Sequence, residues 1–438
     1  MTEGTAWVIS ANMGLGHQRA TYPLRKISNN GIQVFGEDKF ASKKEKTLWK
    51  MFKLIYETLS RTQQMPVFGP HIYNILEKLQ NISPYYPSKD RSAPTFQVKL
   101  LNTLIKMGFG KSLCEYISTR NLPVITSFYA AAIACEKLTT LPVYCIICDA
   151  DINRVWVAEK PQESRIEYFV PCRKAMRRLI QYGVPSHRIH LTGFPLPYEN
   201  IGKDMSILRS DLSKRLINLD PYHNFRVIHA KEIRHYLGNE YTEIMPKKPL
   251  TLSYAVGGAG AQKEIGAKIL KSLKSLLKSG DIYVNLIAGI RNDVYSYFTE
   301  NIKSLDLENC KNVRIIYNMD MEKYFREFSQ ILRTTDILWT KPSEVSFYCG
   351  LGIPIIISPP IGPHEIGNKD WLTEIGAGIP QEDPAYCSEW IKDYLYDGIF
   401  AQSAWNGFLN AHKNGVMKIQ EIIRENTPFV SETSPLLF

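Results

Sequence analysis

No run of about eighteen apolar residues occurs in the chain, so no membrane-spanning helix is expected. The N-terminus lacks a basic segment followed by an apolar one. Trp7-Val8-Ile9-Ser10 reads instead as a first strand, and no secretory signal is expected. Cysteine is sparse, with eight residues scattered over 438, which suits a reducing cytoplasm. The one CxxC, Cys145 to Cys148, lies inside the apolar run Pro142 to Cys148. Residues three apart on a strand point to opposite faces, so the pair reads as structural rather than as a zinc or redox site. Zinc-finger spacing and ribonucleoprotein signatures are missing, and no nucleic-acid partner is expected. Short-period repeats and low-complexity tracts are missing too.

What remains is ample material for two cores. The chain is 44% hydrophobic and 22% charged, and its length suits two domains. The formal charge of +10 points to an anionic partner, a nucleotide or an anionic membrane surface. Strand-like segments alternate with helical ones. Ala6 to Ala11, Ile32 to Phe35, Leu122 to Ser127, Pro142 to Cys148, Glu167 to Pro171 and Arg188 to Thr192 form a first series. Leu250 to Val256, Ile282 to Ala288, Val313 to Tyr317, Ile337 to Trp339 and Ile353 to Ser358 form a second. Such alternation predicts two α/β domains built on parallel sheets, with a ligand cleft between them. The first is expected over 1–197 and the second over 249–404. Residues 198–248 read as a linker carrying an insertion. Residues 405–438 read as a helix and tail returning to the first domain.

Glycine-rich turns stand at the ends of several strands. Asn12-Met13-Gly14-Leu15-Gly16-His17 follows the first strand and opens a helical pattern, an incomplete phosphate-loop fingerprint. Gly257-Gly258-Ala259-Gly260 repeats the arrangement in the second half, and Gly289-Ile290-Arg291-Asn292 follows the next strand. In Thr340-Lys341-Pro342-Ser343-Glu344, Pro342 suits a first helical turn, and Lys341 stands where it would hold a diphosphate. The loop Pro359 to Asn368 gathers His364, Glu365, Gly367 and Asn368 at a strand end, where ligands of open α/β sheets bind.

These stretches resemble the GT-B glycosyltransferase branch that holds monogalactosyldiacylglycerol synthase, diacylglycerol glucosyltransferases and the enzyme adding N-acetylglucosamine to lipid-linked muramyl peptide. Ser10 to His17 is similar to its N-terminal serine, glycine loop and histidine. Tyr182 to Pro185 and Leu191 to Pro197 are similar to the end of its acceptor domain. Gly289 to Asn292 and Gly362 to Asn368, running on to Gly378, are similar to its donor loops. The sequence departs from the branch where a ribose-binding glutamate is usual: that position holds Phe347, and Glu344 is the nearest carboxylate.

The resemblance implies a GT-B fold of two Rossmann-like doubly wound domains facing a cleft. It also implies inverting, metal-independent transfer of a hexose from a nucleotide-sugar, UDP-linked, to an acceptor hydroxyl such as that of diacylglycerol. No cofactor is expected, since the nucleotide-sugar is a substrate. His17 is the first candidate base, with Asp149 or Asp151 as the alternative. Ser10, Asn12, Gly14 and Gly16 form the acceptor-side loop. Gly257, Gly258, Gly260, Gly289, Arg291, Lys341 and Ser343 are diphosphate candidates, with Glu344 for the ribose. Tyr317, Met319 and Met321 follow the strand that presents backbone to the base, and His364, Glu365, Gly367 and Asn368 are to hold the donor sugar. Two alternatives share the fold: a nucleotide-sugar 2-epimerase and a non-catalytic nucleotide-sugar-binding protein. Finally, Trp49, Phe52, Tyr56 and Leu59 recur at helical spacing among Lys43, Lys44, Lys46, Lys50 and Lys53. That pattern predicts an amphipathic helix whose stripe either lies in the cytoplasmic face of a membrane or packs on the domain's own sheet with the lysines solvated.

Overall fold

The computed structural model describes residues 4–37, 39–61, 82–238, 248–258 and 260–425, with side chains of 54–61 outside that description. Two compact units emerge. The first is Met1–Pro195 joined by Ile361–Asn368 and a segment beginning at Asn414; the second is Leu196–Pro360 joined by Lys369–Lys413.

The first unit holds a six-stranded sheet in the order β2-β1-β3-β4-β5-β6. Its strands are β1 (Trp7–Ala11), β2 (Gln33–Phe35), β3 (Val124–Thr126), β4 (Val143–Ile146), β5 (Glu167–Val170) and β6 (Ile189–Leu191). All its pairings are parallel. β1, β3 and β4 are buried along their whole length, as expected of parallel strands covered on both faces. The order reverses between β1 and β3.

The second unit repeats the plan with β12-β11-β10-β7-β8-β9. Its strands are β7 (Leu250–Ala255), β8 (Ile282–Gly289), β9 (Val313–Tyr317), β10 (Ile337–Thr340), β11 (Ile355–Ile357) and β12 (Gly378–Pro380), all parallel. Here the reversal falls between β7 and β10. Two Rossmann-like doubly wound units are therefore what the chain folds into. The strand that sequence patterning misses is β12. It is three residues long, carries Gly378 and Pro380, and lies at the sheet edge, where a proline is tolerated.

Three expectations need correction. Residues 198–238 are no linker but helices of the second unit, Tyr198–Ile201, Ser206–Leu219 and Arg226–Leu237. Arg215 explains why: it is buried and donates to the carbonyls of Leu332, Thr335, Leu351 and Gly352. The helix Ile399–Asn410 stays with the second unit. The segment of the first unit begins only at Asn414 and carries the helix Gly415–Glu425. Ile361–Asn368, expected with the donor domain, clusters with the first unit.

The helix over 43–61 forms as the periodicity predicts, but its stripe turns inward. Trp49 is buried against Phe35, Phe109 and Phe128 at ring separations of 6.0, 6.2 and 6.0 Å. Phe52 lies against Phe109. Tyr56 and Leu59 lie outside the described side chains. Lys43, Lys44, Lys46 and Lys50 are exposed, while Lys53 reaches Glu37 at 3.6 Å.

Candidate functional site

Ligands of doubly wound sheets bind at the carboxyl ends of the strands where the strand order reverses, because adjacent connections leave there in opposite directions. Each unit places one of the predicted loops at that point.

In the first unit the reversal lies between β1 and β3. The loop after β1 turns at Gly14, whose φ is 94°, and leads into the helix Leu15–Thr21. His17 sits on that helix, half-buried. Its Nδ1 lies 2.5 Å from the carbonyl oxygen of Ser127, just past β3. A carbonyl only accepts, so Nδ1 carries the proton and Nε2 keeps its lone pair in the neutral ring. The Ser127 hydroxyl donates back to the His17 carbonyl at 2.8 Å, clamping the helix to β3. Phe128 packs edge-on against the imidazole at 5.2 Å, and Trp156 lies at 6.0 Å. Phe128 in turn touches Trp49, so the stripe of the 43–61 helix supports the histidine from behind. Asn12 donates to Glu37 at 3.0 Å, and Glu37 also accepts from the Trp49 indole at 3.2 Å. Ser10 is buried on β1 with its hydroxyl unpartnered. Gly16 lies half-buried on the helix.

The loop after β4 gives its two carboxylates different tasks. Asp151 is buried in a bidentate pair with Arg178, 2.7 Å from Nε and 2.9 Å from a terminal nitrogen. The guanidinium also lies 3.8 Å over the Tyr85 ring. Both oxygens are engaged, which removes Asp151 as a base. Asp149 accepts from the Asn368 amide at 2.8 Å, and Asn368 accepts from the backbone of Ala150 at 2.7 Å. Asn368 is fully buried. The expectation that it holds a sugar is corrected: its amide is spent tying Ile361–Asn368 to the Asp149 loop. Glu365 is likewise buried and accepts from the backbone of Ile361 at 2.8 Å, so it caps its own loop. Gly367 is glycine because a Cβ there would lie 2.6 Å from the Asp151 Cβ. His364 stays about half-exposed, with Nε2 3.9 Å from Glu365.

In the second unit the reversal lies between β7 and β10, and two predicted groups meet there. Lys341, just past β10, crosses over Gly257, just past β7, so closely that a Cβ on Gly257 would collide with the lysine Cε. The turn that includes Gly258 closes with Gly260 donating to the Gly257 carbonyl at 2.7 Å. Gly260 in turn lies beside Arg291, the N-cap of the helix Asn292–Ser304 that follows Gly289. Arg291 pairs with Asp293 at 2.9 Å and lowers that carboxyl, but both groups are largely exposed. Such a pair is weak and releases its arginine readily to a phosphate. Past β10 the structure corrects the predicted helix start. Ser343 is the N-cap, the helix runs from Glu344 to Leu351 with 3₁₀ geometry, and Pro342 precedes it. Phe347 is buried against Trp371 at 4.8 Å, a packing residue in place of a carboxylate. Tyr317 ends β9 and stacks on Tyr295 at 4.9 Å. Met319 is exposed beyond it, and Met321 opens the next helix.

Ser127, Phe128, Trp156 and Glu37 escaped the sequence reading. The signal available for Ser127 was its place at the end of an apolar strand, but nothing in the sequence says that β3 lies beside β1.

Two doubly wound units, one with an oriented histidine and the other with a glycine–lysine–arginine turn, each carry predicted loops at the point where the strand order reverses. Comparison with known proteins adds relatives. The processive diacylglycerol β-glucosyltransferase of Bacillus cytotoxicus is 22% identical over 279 residues, covering 63% of this chain and 60% of that protein. The protein of the same name from Bacillus subtilis is 20% identical over 291 residues, covering 65% and 63%. The chain thus spans about three fifths of the length of these curated relatives. Among solved structures, MurG of Acinetobacter baumannii is 14% identical with a TM-score of 0.48, over 96% of this chain and 99% of that one. A family model described as a domain of unknown function, DUF6938, matches residues 292–392. The curated relatives fall in the branch that the motifs resemble, and the chain is a distant relative of it.

Proposed function

We propose that the chain is an inverting glycosyltransferase that moves a hexose from a UDP-linked donor to an acceptor hydroxyl. The observation that carries this reading is the His17 geometry. The Ser127 carbonyl holds the Nδ1 proton, which directs Nε2 to act as a base. An acceptor hydroxyl gives its proton to Nε2 while its oxygen bonds to the anomeric carbon. The bond from that carbon to the diphosphate oxygen breaks, and the diphosphate leaves with the electron pair. Lys341, the Gly257–Gly260 turn and Arg291 take up the charge that develops on it.

The names of the curated relatives support diacylglycerol as the acceptor class and glucose as the sugar. Exposed Lys43, Lys44, Lys46 and Lys50 suit a protein working at an anionic membrane surface, and no described helix is long and apolar enough to cross a membrane. The transfer is read as metal-independent: in the first unit the DxD-type pair Asp149 and Asp151 is engaged by Asn368 and Arg178, and in the second unit Lys341 and Arg291 carry positive charge.

The test is a panel of nucleotide-sugars assayed for turnover with and without diacylglycerol, and for thermal stabilisation. UDP-glucose should stabilise the protein, and glucosyl transfer to diacylglycerol should survive chelator. A 2-epimerised nucleotide-sugar without acceptor would move the assignment to an epimerase. Stabilisation without any turnover would leave a binding protein. Activity lost to chelator and restored by magnesium or manganese would overturn the metal-free step.

A further inference from the structure

The helices that precede β7 present a surface that holds none of the residues assigned above to sugar transfer. The helix Arg226–Leu237 buries Arg226, Ile233 and Leu237. Its start is held rigidly. Asp220 is fully buried and accepts from the backbone of Phe225 and Arg226 at 3.1 and 2.8 Å, and pairs with the Arg226 side chain at 3.2 Å. The outer face therefore stands in a fixed orientation. It begins with Val227 and Ile228, which are 73% and 78% exposed. Lys231, Arg234 and His235 follow on the same side, all exposed. Next to the helix, Tyr222 and Tyr396 pack edge to face at 5.1 Å and are 58% and 59% exposed. The Asn224 amide joins the two segments by donating to the Tyr396 carbonyl at 2.5 Å. An open groove of about 320 Å³ lies here, with Phe225, Ile228, Ile379 and Ile399 among its walls.

Two neighbouring aliphatic side chains this exposed, beside a tyrosine pair and an apolar groove, form a patch that calls for a cover. The charges select the cover. The exposed face of the helix carries cations and no exposed acid. Glu232, its one acid, is half-buried 3.3 Å from His229, and Asp397 is the single acid among the groove walls. Lysine is depleted from the cores of protein interfaces. Cations beside aliphatic groups and tyrosines are what an interfacial helix shows to an anionic bilayer. We propose that this face of the second unit docks on an anionic lipid surface, with Val227 and Ile228 entering the headgroup region and Lys231 and Arg234 meeting lipid phosphates. The docking stands whether or not the chain transfers sugar.

Co-sedimentation of the full chain with vesicles tests it, using phosphatidylcholine alone and phosphatidylcholine mixed with phosphatidylglycerol. The wild-type chain should partition onto the mixed vesicles and release with salt. Val227→Asp with Ile228→Asp should weaken that partition about tenfold or more, and Lys231→Glu about threefold, with melting temperatures unchanged because these side chains are exposed. Uridine diphosphate binding, measured by calorimetry on the same variants, should not move; that readout separates the docking face from the sugar-transfer reading. Undiminished partition of the double variant overturns the proposal. So does a lipid-free dimer that the double variant dissolves, which would make the patch an interface between copies of this chain.

Discussion

His17 and Lys341 each depend on a neighbour that the sequence does not place beside them. For His17 it is the carbonyl of Ser127, which selects the tautomer. On the proposed reading His17→Ala removes the base and changes no residue assigned to the diphosphate, so turnover should fall roughly a hundredfold or more with uridine diphosphate affinity unchanged. Near-normal turnover would pass the role to Asp149. For Lys341 the neighbour is Gly257, whose missing side chain lets the lysine cross. Lys341→Ala should weaken uridine diphosphate binding about tenfold in calorimetry, as loss of a charge-assisted contact does. Both residues were legible as candidates because each follows a strand and a turn. The roles of Asp151, Glu365 and Asn368 were not. A carboxylate or amide at a strand end looks the same in sequence whether it faces a ligand or a buried partner 2.7 Å away. Arg178→Met distinguishes these tasks. It leaves Asp151 buried without its cation, which should cost about 3–5 kcal/mol in urea unfolding.

At the scale of elements, strand periodicity located eleven of the twelve strands among the described residues, and the failures concern what covers the sheets. In the segment 198–238 the helix Ser206–Leu219 buries Leu208, Leu212, Leu216 and Leu219, but Asp211, Ser213 and Arg215 are buried on it as well and blur the rhythm, Arg215 because it is satisfied by four backbone carbonyls. Beneath that anchor, Asp336 accepts from the Thr251 backbone at 2.9 Å and from Asn218 at 3.0 Å. Burial outweighs these bonds and the nearby Arg215, and pushes the carboxyl from 3.8 up to about 6. The folded chain thus holds a proton between those values that the unfolded chain has released. Stability contributed by this group is fully present below about pH 4, falls as pH rises towards 6, and is flat above it. The span corresponds to roughly 3 kcal/mol. Urea unfolding of wild type and Asp336→Asn at pH 5 and pH 7 should show the difference. The wild type should lose stability relative to the variant on going from pH 5 to pH 7, and a constant gap between them would refute the assignment.

At the scale of the whole molecule, the +10 charge and the basic helix over 43–61 raise the same question: does that helix enter a membrane or only attract one? The helical period was legible, but periodicity alone does not say which surface an apolar stripe faces. The structure answers for its first turns. Trp49 and Phe52 belong to the core that backs Phe128 and His17, while Lys43, Lys44, Lys46 and Lys50 face outward. Lysines near an anionic surface contribute about 1 kcal/mol each, and salt screens them over roughly 10 Å. Charge reversal at Lys43, Lys46 and Lys50 should therefore lower partition onto phosphatidylglycerol vesicles at least tenfold at low salt. It should change little at high salt or on neutral vesicles, and leave the melting temperature in place. Trp49→Ala should do the opposite. A buried indole is lost from an aromatic cluster, which costs about 3–5 kcal/mol of stability, and turnover falls because Phe128 no longer holds the His17 ring. Measured side by side, vesicle partition and melting temperature separate the two faces. A Trp49→Ala variant that keeps wild-type stability and loses only its membrane partition would return the tryptophan to the lipid.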